Sequence, residues 1–235
     1  MAKILNIETS TSVCSVALTI DNQVVEHYEN YDGQTHSTLL SRYVKNLLDY
    51  AHSREISLDA VAVSIGPGSY TGLRIGLSEA KGLAFGLKVP LIGVNTLQLM
   101  TVGVMFNHLL DDNALYVPMI DARRMEVYTA VYNSALEAVV KPQAMILDND
   151  SFAEQLASGR QIVMFGNGSD KAVKVLNNDS IHHVPDVHPV AVDMMALSEK
   201  AYREKEFIDV AYSTPLYLKE YQGTVSQKLK KILGR

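Results

Sequence analysis

Apolar and polar positions alternate along residues 4–8, 13–20 and 23–30, the period-two signature of half-buried strands. Asp21-Asn22 between the second and third segments is a tight-turn pair, so the three predict a β-meander. The same pattern returns at 114–121, 125–132 and 136–141, with Asn133-Ser134 in the place of that turn. Each meander opens on a strand that ends in a carboxylate, Glu8 in the first and Asp121 in the second.

A helical segment follows each meander, then an apolar strand running into a glycine turn. Val61–Ile65 leads into Gly66-Pro67-Gly68-Ser69, and Ile162–Phe165 into Gly166-Asn167-Gly168-Ser169. A helix, a short strand (89–94; 181–184) and a further helix (95–107; 189–205) complete each series. The shared order predicts an α/β fold built from a duplicated β-β-β-α-β-α unit. Two mixed sheets covered by helices should give two lobes with a cleft between them. The expected lobes are 1–108 and 109–221, divided near His108–Asn113, with a basic tail over 222–235. The segment after Tyr212, which carries Pro215, is expected to fold back as a closing helix.

Composition narrows the function classes. With 47% hydrophobic and 20% charged residues, the 235-residue chain is ordinary globular material. It has no run of about 18 apolar residues that could span a bilayer. Met1-Ala2-Lys3 passes straight into Ile4-Leu5-Asn6-Ile7 without a signal-peptide pattern, so a cytoplasmic location and no membrane partner are expected. The single cysteine, Cys14, sits in the alternating run Val13–Leu18 and suits a small core residue. A formal charge of −5 argues against a stand-alone nucleic-acid binder. The basic stretch Lys228–Arg235 reads as a solvated terminal helix or, alternatively, as an RNA contact.

Duplicated units of this kind resemble the actin, Hsp70 and sugar-kinase superfamily, in which each half brings a carboxylate-bearing hairpin to a nucleotide cleft. Three local motifs are more specific: Ile4-Leu5-Asn6-Ile7-Glu8-Thr9-Ser10-Thr11 followed by Cys14–Leu18; SIGPGSYTGLRIG over Ser64–Gly76; and Asp121-Ala122-Arg123-Arg124-Met125-Glu126-Val127-Tyr128. They resemble the TsaB/YeaZ family, the dimerisation subunit paired with the TsaD-type catalytic subunit in bacterial synthesis of threonylcarbamoyladenosine in tRNA. The resemblance implies a non-catalytic subunit that binds and activates the TsaD-type protein. It also implies association with a TsaE-type ATPase, a homodimer when the partner is absent, and only indirect contact with tRNA. No cofactor or metal is expected in this chain, ATP and metal belonging to the partner subunits.

The motifs depart from a working nucleotide cleft in ways that agree with this. Hairpin glycines normally let backbone N–H groups approach phosphates. The first hairpin here offers Thr9, Ser10, Thr11 and Ser12, and the second has arginine at the expected glycine position. Arg123 and Arg124 read either as an anion clamp or, with Glu126 close by in sequence, as a structural ion pair or a partner contact. A vestigial anion loop would comprise Glu8, Thr9, Ser10, Gly66, Gly68, Ser69, Thr71 and Asp121, with Ser69 or Thr71 also suited to cap the following helix. The catalytic paralogue resembles this chain around Pro90–Asn95, where it continues with two metal-holding histidines one helical turn apart. The matching positions here are Thr96 and Met100. His182, His183 and His188 gather around Pro185 without helical spacing and read as surface or hydrogen-bonded histidines. Two other functions remain in play: an actin-like small-molecule kinase, disfavoured by the missing hairpin glycines, and a peptidase at Ser69, disfavoured by the lack of a triad context.

The helix after the glycine loop carries Gly76, Gly82 and Gly86, which together cost roughly 3 kcal/mol against alanine. Gly72, Gly76, Ala80 and Ala84 recur every four residues, suiting either tight packing on the helix's own sheet or a partner helix. Residues 36–52 form an amphipathic helix whose stripe of Leu39, Leu40, Tyr43, Val44, Leu47, Leu48 and Ala51 suits core packing with a margin for a subunit. The resemblance implies that these N-terminal helices build the heterodimer, so the expected interface is Leu40, Tyr43, Leu47, Gly72, Gly76, Ala80 and Ala84.

Overall fold

A computed structural model describes residues 2–33 and 35–219. The first meander forms as Lys3–Glu8 (β1), Cys14–Ile20 (β2) and Gln23–Asn30 (β3), each antiparallel to the next. Asp21 and Asn22 both take positive φ, 51° and 60°, the geometry whose twist matches that of the flanking strands. His36–Ser53 (α1), Ala60–Gly66 (β4), Tyr70–Leu87 (α2), Leu91–Asn95 (β5) and Thr96–Asn107 (α3) complete the first unit. The sheet order is β3-β2-β1-β4-β5, with β4 parallel to both β1 and β5.

The second unit contains Leu115–Asp121 (β6), Glu126–Tyr132 (β7), Ala138–Ile146 (β8), Ala153–Leu156 (α4), Ile162–Phe165 (β9), Ser169–Leu176 (α5), Ile181–Val184 (β10) and Met195–Glu204 (α6). Its sheet order, β8-β7-β6-β9-β10, repeats the first strand for strand, with the same pattern of parallel and antiparallel pairs. The duplication read from the sequence is therefore a duplication of topology. The second copy is trimmed: α4 and α5 span 4 and 8 residues where α1 and α2 each span 18. Asn133-Ser134 belongs to a wider loop, because the Asn133 side chain accepts the Ala135 and Glu137 amides and delays the third strand to residue 138. The helix expected over 189–205 is broken into a 3-10 turn, Ala191–Met194, and α6.

Period-two alternation gives each sheet two apolar faces. On the first sheet Leu5, Ile7, Val61 and Val63 meet Leu40, Val44 and Leu47 of α1 and Leu77, Ala80 and Ala84 of α2. Its other face, Ile4, Ala60, Ala62 and Ile92, meets Leu99, Met194 and α6. On the second sheet Tyr116, Ile120, Val163 and Phe165 pack on Leu97, Met100 and Val104 of α3. The last helix of each unit thus packs on the other unit's sheet, and α3, buried from both sides, is apolar almost all round.

No closing helix follows Tyr212 within the described residues. Residues 208–219 run as an irregular strap: the Ile208 amide donates to Leu91 O, the Leu216 amide to Ile65 O, and Lys81 Nζ to the carbonyls of Ala211 and Ser213. Carbonyls drawn to a lysine are not available for helical bonds, and Pro215 removes a donor and disfavours helix before it. The basic tail lies outside the described residues.

Candidate functional site

β1 delivers the first hairpin against the start of α2, and the two are locked together. Thr9 Oγ1 donates to Gly72 O at 2.8 Å, and the Ser69 amide donates to Ser10 O at 2.6 Å. Ser69 is the N-cap, its Oγ accepting the Gly72 amide at 3.2 Å, while Thr71 is exposed and caps nothing. A Cβ on Gly68 would stand 2.3 Å from Ser10 O, and one on Gly72 2.1 Å from Thr9 O. These glycines therefore admit the chain's own hairpin backbone. Gly66 serves the strap instead: at φ +112°, its Cβ would meet Leu216 O at 2.9 Å.

Glu8, at the end of β1, is wholly buried, and its Oε1 accepts the Ser10 amide at 2.5 Å. Burial pushes the carboxyl from 4.5 up to about 7, opposed by the neighbouring hydroxyls of Ser10 and Ser64 and the amides of Ser10 and Thr9. Oε2 and both hydroxyls are buried without a hydrogen-bond partner of ordinary geometry among the described residues. Because the folded-state value is raised, Glu8 holds its proton in the folded chain after losing it in the unfolded one. Stability attributable to it falls as pH rises from 4.5 to about 7 and is flat above, the full penalty being on the order of 3 kcal/mol. In thermal melts, Glu8→Gln is expected to gain on the wild type between pH 5 and 7; a difference independent of pH would refute the raised carboxyl. Beside it, burial and then the Glu8 charge push the Cys14 thiol up to about 11, which keeps it an inert core group.

The second hairpin is organised by a lysine. Lys171 Nζ, from α5, contacts Asp121 Oδ1 and the carbonyls of Arg124 and Glu126. Asp121 Oδ1 also accepts the Arg123 amide, and Arg123 and Arg124 turn the chain with φ of 71° and 52°. Neither arginine pairs with Glu126, whose ion-pair partner is Lys219 of the strap. The arginines serve the turn through their backbones, and the expected pairing is corrected accordingly. Thr96 and Met100 are buried one turn apart on α3, Met100 within the core of the second sheet. Among the described residues no three His, Cys, Asp or Glu side chains stand close enough to hold a metal ion.

One grouping escaped the sequence reading. Ser169, Asp170 and His183 come together beside the second glycine turn, with Ser169 Oγ 2.9 Å and Asp170 Oδ1 3.4 Å from the same atom, His183 Nε2. A Ser-His-Asp relay needs the carboxylate on the other ring nitrogen. Here serine and aspartate share one, and Ser169 Oγ also donates to Gly166 O at 2.7 Å. The repeated Gly-x-Gly-Ser and the pairing of β9 with β10 are the signals that could have found it.

Most of the residues expected at the interface lie inside the chain. Leu40, Leu47, Ala80 and Ala84 are buried in the chain's own core, and Gly72 and Gly76 lie against Thr9. Tyr43 stacks on Tyr28, ring centroids 5.4 Å apart. The stripe 72/76/80/84 faces inward because only hydrogen or methyl side chains fit against β1 and β4. What α2 exposes is a second small stripe, Ser78, Gly82 and Gly86, beside Phe85, which is 80% exposed. A Cβ on Gly82 or Gly86 would meet nothing within 4 Å. Ser41 Oγ donates to Glu79 Oε2 at 3.0 Å, joining α1 to this side of α2.

Known proteins share both the sequence and this architecture. The family model described as TsaD: tRNA N6-adenosine threonylcarbamoyltransferase matches residues 20–230. The tRNA threonylcarbamoyladenosine biosynthesis protein TsaB of Escherichia coli is 32% identical over 229 residues, 92% of this chain and 94% of that protein. Its Bacillus subtilis namesake is 33% identical over 221 residues, 92% and 93% of the two chains. A Pseudomonas aeruginosa structure described as similar to peptidase YeaZ superposes with a TM-score of 0.80 at 24% identity, over 93% of this chain and 100% of the other, a likeness of fold. With its duplicated actin-like topology, its hairpin and glycine-loop motifs and these relatives, the chain belongs to the TsaB/YeaZ family of tRNA threonylcarbamoyladenosine biosynthesis proteins.

Proposed function

We propose that this chain is the non-catalytic partner subunit in threonylcarbamoyladenosine synthesis at the adenosine beside the tRNA anticodon, binding and activating a TsaD-type catalytic subunit through the exposed face of α2 and the adjoining margin of α1. The observation that carries this is the pair Gly82 and Gly86. Each sits in an exposed helix at a cost of about 1 kcal/mol against alanine, with open space where a side chain would go and an exposed phenylalanine between them. No packing among the described residues accounts for them. A second helix, which can approach closely only over small residues, does.

The occupant follows from kinship. A chain that matches the transferase model over most of its length is a paralogue of that enzyme, and paralogues present corresponding helices. Pairing of like faces about a near two-fold axis is the commonest subunit geometry, and it also permits a homodimer when the partner is absent. The sealed Glu8 and the lysine-held Asp121 support assigning ATP and metal to the partner subunits, the TsaE-type ATPase among them, with tRNA held by the partner in the cytoplasm. Activation is then a population shift: binding favours the partner's competent shape and needs no chemistry here.

The test is threonylcarbamoyl transfer to tRNA by catalytic subunit and ATPase, with and without this chain, and by this chain alone. Transfer that requires the complete mixture is the expected result. Transfer by this chain alone, or none lost on its omission, overturns the assignment.

A further inference from the structure

The last turn of α3, the loop over 185–190 and the 3-10 turn border an open cleft of about 230 Å³. It is apart from both hairpins, its lining including neither Glu8 nor Asp121, neither Thr96 nor Met100. Tyr31, Asn107, His108, His188 and Asp193 supply its polar and aromatic wall. Tyr31 is fixed there, its hydroxyl donating to Glu29 Oε2 at 2.8 Å and its ring meeting His188 edge-on at 5.9 Å. Asn107 is likewise occupied, donating to Gly103 O.

Asp193 is different. Its carboxylate lies flush against α3, so close that a Cβ on Gly103 would stand 2.4 Å from Oδ2. Among the described residues no donor hydrogen-bonds it and no cation pairs with it. The groups around it are Glu29 and Tyr31 from the end of β3, His108 at the end of α3, and Asp186 and His188 of the loop. Burial and then the Glu29 charge hold its carboxyl up at about 6. A half-buried carboxylate with no counter-ion among the described residues is held there at a cost. A second feature has the same sign: Gly103, Val104, Asn107 and His108 form the C-terminal end of α3, where the helix dipole favours positive charge. An aromatic ring beside such a spot adds cation–π attraction.

We infer that this cleft binds a compact organic cation, an aliphatic ammonium or guanidinium compound, with its charge on Asp193 and its stem along Tyr31. The volume is below the roughly 300–1,000 Å³ of drug-sized pockets, which suits a short diamine or its guanidino analogue. Gly103 belongs to the same device, since any side chain there would displace the carboxylate.

The full chain is titrated calorimetrically with putrescine and with agmatine at pH 8 and low salt, with neutral 1,4-butanediol as control. Saturable one-to-one binding is expected for the cations and none for the diol. Asp193→Asn should weaken it at least about tenfold, as loss of a bond to a charged group does. In the wild type, binding should also weaken from pH 8 to pH 5 as the carboxylate takes up a proton, a readout that needs no variant. No saturable heat, equal binding by the diol, or affinity indifferent to both Asp193→Asn and pH overturns the inference.

Discussion

A Gly82→Glu chain is expected to stay folded and to lose co-elution with the TsaD-type catalytic subunit, and with it the stimulated transfer to tRNA. At this position an added side chain meets open space, so in the free chain the new carboxylate is solvated and costs little. Against a docked helix it would be desolvated without a partner, a loss of roughly 2–5 kcal/mol, or at least about thirtyfold in affinity. Phe85→Ser should weaken the complex through lost apolar contact, since its exposed ring is available to a partner. A charge at Ala80 makes a poor probe: that residue is 0% exposed against β-sheet, and its substitution would unfold the chain whether or not a partner binds there. Size-exclusion and titration of folded Gly82→Glu decide the matter. Undiminished co-elution would remove α2 from the seam.

The fold was legible because alternation, turn pairs and glycine turns are local signals repeated in the same order. Val61–Ile65 into Gly66 could be read as a buried strand without knowing its neighbours, and Ser69 could be read as a cap from its place before a helical run. What failed to read depended on approach between segments. Two stripes of period four share α2, 72/76/80/84 and 78/82/86, and spacing cannot say which meets the sheet. Thr9 decides it by bringing its carbonyl to Gly72, a backbone contact that no side-chain type announces. The pairing of Glu126 with Lys219 spans 93 positions and both sheets, and Lys171 reaches Asp121 from 50 positions away, so neither had a sequence signature. The segment carrying Pro215 was misread as a closing helix, because the clamp by Lys81 that holds the strap extended has no sequence signature.

The same substitution on α2 should change stability with opposite sign at two positions ten residues apart. Gly82→Ala removes backbone freedom from the unfolded chain and adds no contact within 4 Å, so it should stabilise by about 0.5–1 kcal/mol. Gly72→Ala gains the same propensity but drives a methyl to 2.1 Å from Thr9 O, a backbone atom that cannot rotate away. Either the hairpin or the first turn of α2 must shift, breaking the bond from Thr9 Oγ1 to Gly72 O, and overpacking of this kind costs about 1–3 kcal/mol or more. Denaturant melts of the two variants should therefore move in opposite directions. Equal shifts would mean that the hairpin yields freely and the glycine loop does not lock it. If Gly82→Ala also weakens the partner complex while raising the stability of the free chain, the glycine is retained for the seam at the expense of the fold. A stabilised variant with full partner affinity would leave Gly82 unexplained and shift the seam toward Phe85 and the margin of α1.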